Sequence, residues 1–191
     1  MTRPRRTLAV LVLILAALTA CAPRVEPEQG ARALHNDADI AFARNMIPHH
    51  EQAVVLAAMV PTNTANPDLR VMAAHIGSAQ RAEIGVLQDL LATWGEGTDG
   101  GGHTGHHHDG MHAMAGMVDE ATMQRLPRLY DSAFDTLWAT SMISHHEGAV
   151  AMAQDELADG QSSDAKHVAA LIIESQQREI SRLKHVISAT E

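Results

Sequence analysis

Two stretches of the chain are near copies of each other, Met46-Ile-Pro-His-His-Glu-Gln-Ala-Val54 and Met142-Ile-Ser-His-His-Glu-Gly-Ala-Val150. Residue n of the first stretch corresponds to residue n + 96 of the second. On a helix, side chains three and four positions apart share a face, so each Met lies beside the His pair that follows it. The repeat therefore predicts a duplicated helical unit that carries metal ligands.

The same offset, without a gap, also pairs Gln80 with Gln176 and Glu83 with Glu179. Agreement over so long a stretch indicates that the whole unit is duplicated and not only a short motif. We therefore expect an all-α fold, a four-helix bundle built from two antiparallel helical hairpins.

Helix signals divide the bundle domain, residues 36–189, into halves 36–94 and 119–189 joined by a loop at 95–118. The first helix is predicted from about Asn36 to near Pro61, with a kink at Pro48 because proline removes a backbone hydrogen bond. The second is predicted from Asn66 to Trp94 and ends at Gly95. After a short helix begun by Asp119, two further long helices are expected at about 129–157 and 163–188.

The N-terminus resembles a bacterial lipoprotein signal. Basic residues precede an apolar run that ends in Leu18-Thr-Ala-Cys21, and the run is too short for a comfortable membrane span. We expect residues 1–20 to be removed, the lone Cys21 to carry lipid, and residues 21–35 to form a flexible tether. The prediction is an exported protein anchored to the cell membrane by lipid at Cys21, facing the periplasm or the cell exterior.

Charge and motifs narrow the classes of function. The chain of 191 residues carries a formal net charge of −9, which becomes −12 once the three arginines of residues 1–20 are removed. An acidic surface argues against nucleic acid as a partner. No nucleophile, phosphate-binding or nucleotide-binding motif occurs, and no Glu is followed by His three residues later, as a ferritin-like di-iron oxidase requires. A binding protein is favoured over an enzyme.

Thioether and imidazole groups together suit copper, with zinc or nickel as the next candidates. A lone buried His or Met is usually a core residue, but the same cassette occurs twice, which favours metal. Met152 lies two turns beyond the second His pair, whereas Leu56 stands at the matching position of the first half. The predicted ligands are Met46, His49, His50, Met142, His145, His146 and Met152.

The glycine-rich loop is a second candidate for metal binding, either as a capture arm or as a separate group of weak sites. Its alternative is a linker whose histidine content is incidental. The candidate ligands there are His103, His106, His107, His108, Met111, His112 and Met114.

Gln80, Glu83, Gln176 and Glu179 are predicted to lie across the bundle from the His pairs. A carboxylate or amide that accepts the second N–H of a ligating imidazole fixes the orientation of the ring. Surface ion pairs are the alternative role for the same residues.

The Met-x-x-His-His cassettes, together with the two Gln-x-x-Glu-Ile segments, resemble the domain-of-unknown-function 305 family. The resemblance spans about residues 37–187. It implies a ferritin-like four-helix bundle and a role in exported copper binding, with Met46, His49, His50 and their copies as ligands. The pairs Leu56/Met152 and Val71/His167 depart from the repeat, so the two sites need not be equivalent.

The leading hypothesis is a lipid-anchored copper-binding protein that sequesters or transfers copper and confers tolerance. Its partners are then metal ions, the membrane and a copper-handling protein. One alternative is a metal-dependent redox enzyme of the cuprous oxidase type, with the same ligands and an open coordination position. Another is a cell-envelope interaction module in which metal binding is incidental.

Overall fold

The computed structural model describes residues 34–97 and 115–190, with the side chains of residues 189 and 190 left out. These residues form an all-α, ferritin-like bundle without any strand in the described ranges. The predicted fold class is confirmed. The helices are α1 (Asp37–Asn63), α2 (Pro67–Trp94), α3 (Glu120–Arg125), a 3₁₀ turn (Leu126–Arg128), α4 (Asp131–Asp159) and α5 (Ser163–Thr190).

Local capping groups set most helix ends. The Asn36 side chain accepts hydrogen bonds from the backbone of Ala38 and Asp39, which satisfies donors that an α-helix leaves free at its start. Asn66 caps α2 in the same way. At the other end of α2, Gly95 adopts φ 77°, a left-handed conformation that glycine reaches without a side-chain clash.

α1 continues two residues beyond Pro61, which the sequence alone predicted as its end. A tertiary contact accounts for the extra length. The Asn63 side-chain amide donates to the carbonyl oxygens of Pro127 and Leu129, which follow α3. These bonds hold the last turn of α1 even though a proline lies within it.

α1 and α2 form one hairpin, α4 and α5 form the other, and α1 crosses α4 in antiparallel orientation. Two bonds show this direction: Asn36 donates to the carbonyl of Asp159, and the Trp138 indole donates to the carbonyl of Leu56. His49 lies against His145, its own copy in the repeat, with ring centroids 3.8 Å apart. An approximate twofold axis that relates the halves therefore passes between these two rings.

The core consists of two apolar clusters, one towards each end of the bundle. One includes Phe42, Leu91 and Ile172, and the other includes Leu56, Leu69 and Trp138. In the space between the two clusters, the buried polar side chains of α1 and α4 are those of the two His pairs. We call the buried His49, His50, His145 and His146, with Gln80, Glu83, Gln176 and Glu179, the histidine layer.

The two halves fill their apolar clusters differently. Leu56 packs in the cluster of Trp138, whereas its copy Met152 packs in the cluster of Phe42, and Phe42 and Trp138 are themselves copies. Leucine and methionine side chains have similar volumes, so this exchange changes the shape of the packing more than its volume. Both positions of this departure from the repeat lie in the core.

Several sequence predictions fall outside the described residues. They include the signal segment 1–20, Cys21 with most of the tether, and loop residues 98–114. None of the helices described is long and apolar enough to cross a membrane.

Candidate metal centre

The His pairs of both cassettes lie in the interior of the bundle. All four side chains are fully buried, at 0% relative exposure. Ring centroids are 6.3 Å apart in the first pair and 6.2 Å apart in the second, and His49 and His145 join the pairs at 3.8 Å. Neighbouring residues on a helix diverge by about 100°. Both members of each pair are nevertheless buried. His49 on α1 and His145 on α4 face each other, whereas His50 faces α2 and His146 faces α5, the second helix of its own hairpin.

In three of the histidines one ring nitrogen lies close to an oxygen, and in two of them the contact is a hydrogen bond. His49 Nε2 lies 3.1 Å from the carbonyl oxygen of Ala115, and His146 Nε2 lies 2.8 Å from Glu179 Oε2. A carbonyl and a carboxylate only accept, so each of these nitrogens carries the hydrogen. His50 Nε2 lies 2.7 Å from Glu83 Oε2, but without the angle of a hydrogen bond.

The opposite nitrogen of each ring has no hydrogen-bond partner. This holds for Nδ1 of His49 and His146, and for both nitrogens of His50 and of His145. A buried polar atom that lacks a partner costs about 1–3 kcal/mol, so native cores contain few of them. Here such atoms concentrate in one layer, and each neutral imidazole among them has one nitrogen whose lone pair can bind a borderline metal.

Burial keeps two of these rings uncharged. Desolvation, followed by the nearby His50, lowers the pKa of His49 to about 4. Desolvation, followed by His49, lowers the pKa of His145 to about 2. Metal ligation requires neutral imidazole, so these two rings need no deprotonation at neutral pH.

The three predicted sulfur ligands are buried on the same helices. Met46 and Met142, each one turn before its His pair, have 0% relative exposure, and Met152 has 9%. Met46 and Met152 belong to one apolar cluster and Met142 to the other. The thioethers therefore border the histidine layer from both ends, and their role as ligands stays a prediction.

The four residues predicted to support the rings face the same layer. Glu83 and Glu179 contact His50 and His146, as described above. Gln80 and Gln176 are each 1% exposed, and neither Gln80 Oε1 nor the side-chain amide of Gln176 has a partner. The contacts of Glu83 and Glu179 with the rings are present, whereas the role of all four residues at a bound ion stays a prediction.

Residues 115–118, the crossing segment, run over the layer from outside. The Gln52 side chain both donates to the Val118 carbonyl and accepts from the Val118 N–H, at 2.9 and 2.8 Å. At the matching repeat position stands Gly148, where any Cβ would overlap the Ala115 carbonyl. The N-terminal half thus binds the crossing segment through the Gln52 side chain, and the C-terminal half leaves room for it because Gly148 has no side chain.

Within residues 34–97 and 115–190, no three His, Cys, Asp or Glu side chains are arranged around a common ion position. An ion in the layer therefore needs either a sulfur ligand or a small rotation of the rings. The seven predicted loop ligands, from His103 to Met114, lie outside the described residues.

Sequence reasoning missed three features of the site: the clamp at Gln52, the carbonyl of Ala115, and a surface contact of His75 with Glu179 at 3.8 Å. Two of these features lie at positions where the two halves have different residues, and the third, Ala115, lies in the predicted loop. The Gln52/Gly148 and His75/Leu171 mismatches could have identified two of them.

Comparison with known proteins identifies the family. The family model for "Domain of unknown function (DUF305)" matches residues 39–187. Among solved structures, a DUF305 protein from Streptomyces coelicolor is 27% identical, with TM-score 0.71, covering 80% of this chain and 92% of that chain. A DUF305 fragment from Deinococcus radiodurans is 27% identical, with TM-score 0.70, covering 81% and 97%.

CopM in its Cu(II)-bound form is also 27% identical, with TM-score 0.67, covering 80% of this chain and 97% of that chain. No curated protein matches. The match over most of the described bundle shows that the chain belongs to the DUF305 family.

Proposed function

We propose that the protein binds copper in the histidine layer, for sequestration or transfer. The observation that carries the proposal is the set of fully buried, unpartnered imidazole nitrogens on both copies of the cassette. A bundle selected for stability alone gains by filling such a layer with leucine, because unpaired buried polar groups destabilise it. Metal ligation gives these nitrogens the partner they lack.

The donor types support copper over harder ions. Imidazole binds copper in either oxidation state, and the thioethers of Met46 and Met142 at the borders of the layer favour Cu(I). CopM, which shares this fold, has been solved with Cu(II), Cu(I) and silver bound. Silver and Cu(I) share a preference for soft ligands, and zinc or nickel remain the next candidates here.

The proposal includes export and anchoring by lipid at Cys21. Its support is the basic start, short apolar run and lone cysteine of the N-terminus, together with an acidic net charge that attracts cations. A lipid-anchored copper protein would act outside the cytoplasm, where a copper-handling protein could receive its ion.

Copper-dependent thermal unfolding tests the proposal. A ligand that binds only the folded state at 100 times its Kd stabilises that state by about 2.7 kcal/mol. We expect Cu(I), buffered by a competing chelator, to raise the Tm of the wild-type protein but not that of the double variant His49→Asn, His145→Asn. The exposed His167→Asn is the matched control and should respond like wild type.

Binding by the loop alone would leave the Tm nearly unchanged, because those ligands remain available in the unfolded chain. Equal Tm shifts in wild type and the folded double variant would contradict the proposal. Circular dichroism of each variant establishes that it is folded.

A further inference from the structure

Glu179 contacts two histidines with its two carboxylate oxygens. Oε2 lies 2.8 Å from Nε2 of the buried His146, and Oε1 lies 3.8 Å from Nε2 of His75 on α2. Side-chain exposure falls from 66% at His75 to 7% at Glu179 and 0% at His146. The three side chains thus form a continuous path from the surface to the histidine layer.

The other half has no such path. The repeat places Leu171 opposite His75, and Leu171 is an exposed apolar residue. Glu83, the copy of Glu179, is 22% exposed, and its Oε2 lies 2.7 Å from Nε2 of the buried His50. A surface imidazole beside the carboxylate is therefore specific to the C-terminal half.

The distance between His75 and Glu179 suits a shared ion better than a direct bond. At 3.8 Å the two atoms are too far apart for a hydrogen bond. Two ligands at about 2.0–2.2 Å from one ion lie roughly 3–4 Å apart, depending on the angle between them. One imidazole nitrogen and one carboxylate oxygen suit a borderline divalent ion such as Cu(II) or Zn(II) and lack the sulfur that favours Cu(I).

We propose that His75 and Glu179 form an outer site for a borderline divalent cation, adjacent to the buried histidines and present only in the C-terminal half. Two protein ligands leave the remaining positions to water, so the ion exchanges readily. The site itself depends on the exposed His75 and the nearly buried Glu179, and only its purpose, passing ions to the buried layer, rests on the proposed function. An ion on Glu179 Oε1 also draws negative charge from the carboxylate that orients His146, which couples the two sites.

Paramagnetic broadening in two-dimensional NMR spectra of the full chain tests the outer site, with Cu(II) as the probe. We expect Cu(II) to broaden backbone signals around residues 75 and 179, separately from any broadening of loop residues 98–114. His75→Leu, which copies the residue of the other half, should abolish the broadening around residue 75, whereas Cu(II) in the histidine layer would still broaden residue 179, which contacts His146. Adding Leu171→His to that variant should produce broadening around residues 83 and 171 instead.

His167→Leu, a second exposed histidine, is the matched control and should leave the broadening at residues 75 and 179 unchanged. Both histidines are exposed, so neither substitution removes core packing. Equal broadening around residue 75 in wild type and His75→Leu, or none around residue 75 in wild type, would overturn the proposal. Absence of the Tm shift that Cu(I) is expected to cause would count against the buried site only. It would leave the NMR result for the outer site unaffected.

Discussion

The two halves of this molecule share a sequence plan but solve the same structural problems with different residues. In the N-terminal half, Gln52 grips the crossing segment and Glu83 approaches His50 without hydrogen-bond geometry. In the C-terminal half, Gly148 makes room for the segment and Glu179 holds His146 in a proper bond. Duplication thus supplies the same two imidazoles to each half, but the residues around them differ between the halves.

The difference extends to the ends of α1 and α4. Val60 of α1 is replaced in the repeat by Glu156, a buried acid that faces Asp39. Burial and the adjacent Asp39 raise the pKa of Glu156 to about 8. Burial would also raise the pKa of Asp39, but backbone N–H donors of Asn36, Ser162 and Gln161 outweigh it, so its pKa is lowered. The two carboxyls therefore hold one proton at neutral pH.

The largest effect is expected when Gln52 is copied to the matching position of the C-terminal half, which makes the two halves alike there. Gly148→Gln places a Cβ in the space of the Ala115 carbonyl, so the crossing segment must move. We expect a loss of about 3 kcal/mol in the free energy of unfolding, measured by urea denaturation. Gly85→Ala is the control: its Cβ meets nothing within 4 Å, and helix propensity predicts a gain of about 1 kcal/mol. A neutral Gly148→Gln would show that the segment does not lie where described.

The buried acid of the C-terminal half predicts a stability that falls as pH rises. Below pH 4.5, Glu156 is protonated in both the folded and unfolded states, and the stability is fully present. Between pH 4.5 and about 8, only the unfolded chain releases the proton, so stability declines by at most about 1.4 kcal/mol per pH unit.

Glu156→Gln should flatten this decline, because its amide stays neutral and can donate to Asp39. Urea denaturation at a series of pH values provides the test. Glu51→Gln, an exposed change with the same loss of charge, is the control and should retain the wild-type slope. A wild-type slope in Glu156→Gln would contradict the shared-proton account.

Removing the two supporting carboxylates one at a time compares the halves directly. Loss of an oxygen that orients a ligating His typically costs 10–100-fold in metal affinity. We expect Glu179→Gln to lower Cu(I) affinity by about 10-fold or more and Glu83→Gln by less, because only Glu179 makes a hydrogen bond to its ring. Competition with a chromophoric Cu(I) chelator measures both, and a larger effect at Glu83 would reverse the assignment.

The smallest expected effect concerns the aromatic ends of the core. Leu56→Met introduces the residue of the other half beside Trp138 and should cost about 1 kcal/mol, because the volume is kept but the shape of the side chain changes. Adding Trp138→Phe recreates the Phe42–Met152 pairing but removes the bond from the indole to the Leu56 carbonyl, so it should add to that loss. A double-mutant cycle measures the coupling, and strictly additive effects would show that the two positions do not compensate.

Local signals in the sequence were sufficient for the helices. Asn36, Asn66 and Gly95 act on backbone groups within a few residues, so their effect can be predicted without the fold. The end of α1 could not, because its last turn depends on Asn63 reaching carbonyls that follow α3. The repeat itself predicted the hairpin pair, since duplicated sequences form duplicated structures.

The residue types of the site could be predicted from the sequence, but the directions in which their side chains point could not. Spacing placed Met46 and His49 on one face, yet it could not show that both His50 and His146 are buried against carboxylates. The contacts of Ala115 with His49 and of Asp39 with Glu156 join residues far apart in sequence. Such pairs depend on how α1 crosses α4, which no local pattern specifies.

Nitrogen-15 NMR of the imidazole rings is the most direct measurement of the central claim, that the unpartnered nitrogens of the histidine layer bind copper. On addition of Cu(I), the account predicts that Nδ1 of His49, His50 and His146 shifts to a metal-bound value while Nε2 of His49 and His146 keeps its hydrogen. If only the histidines at 103–112 respond and the four buried rings stay unchanged, the claim is contradicted.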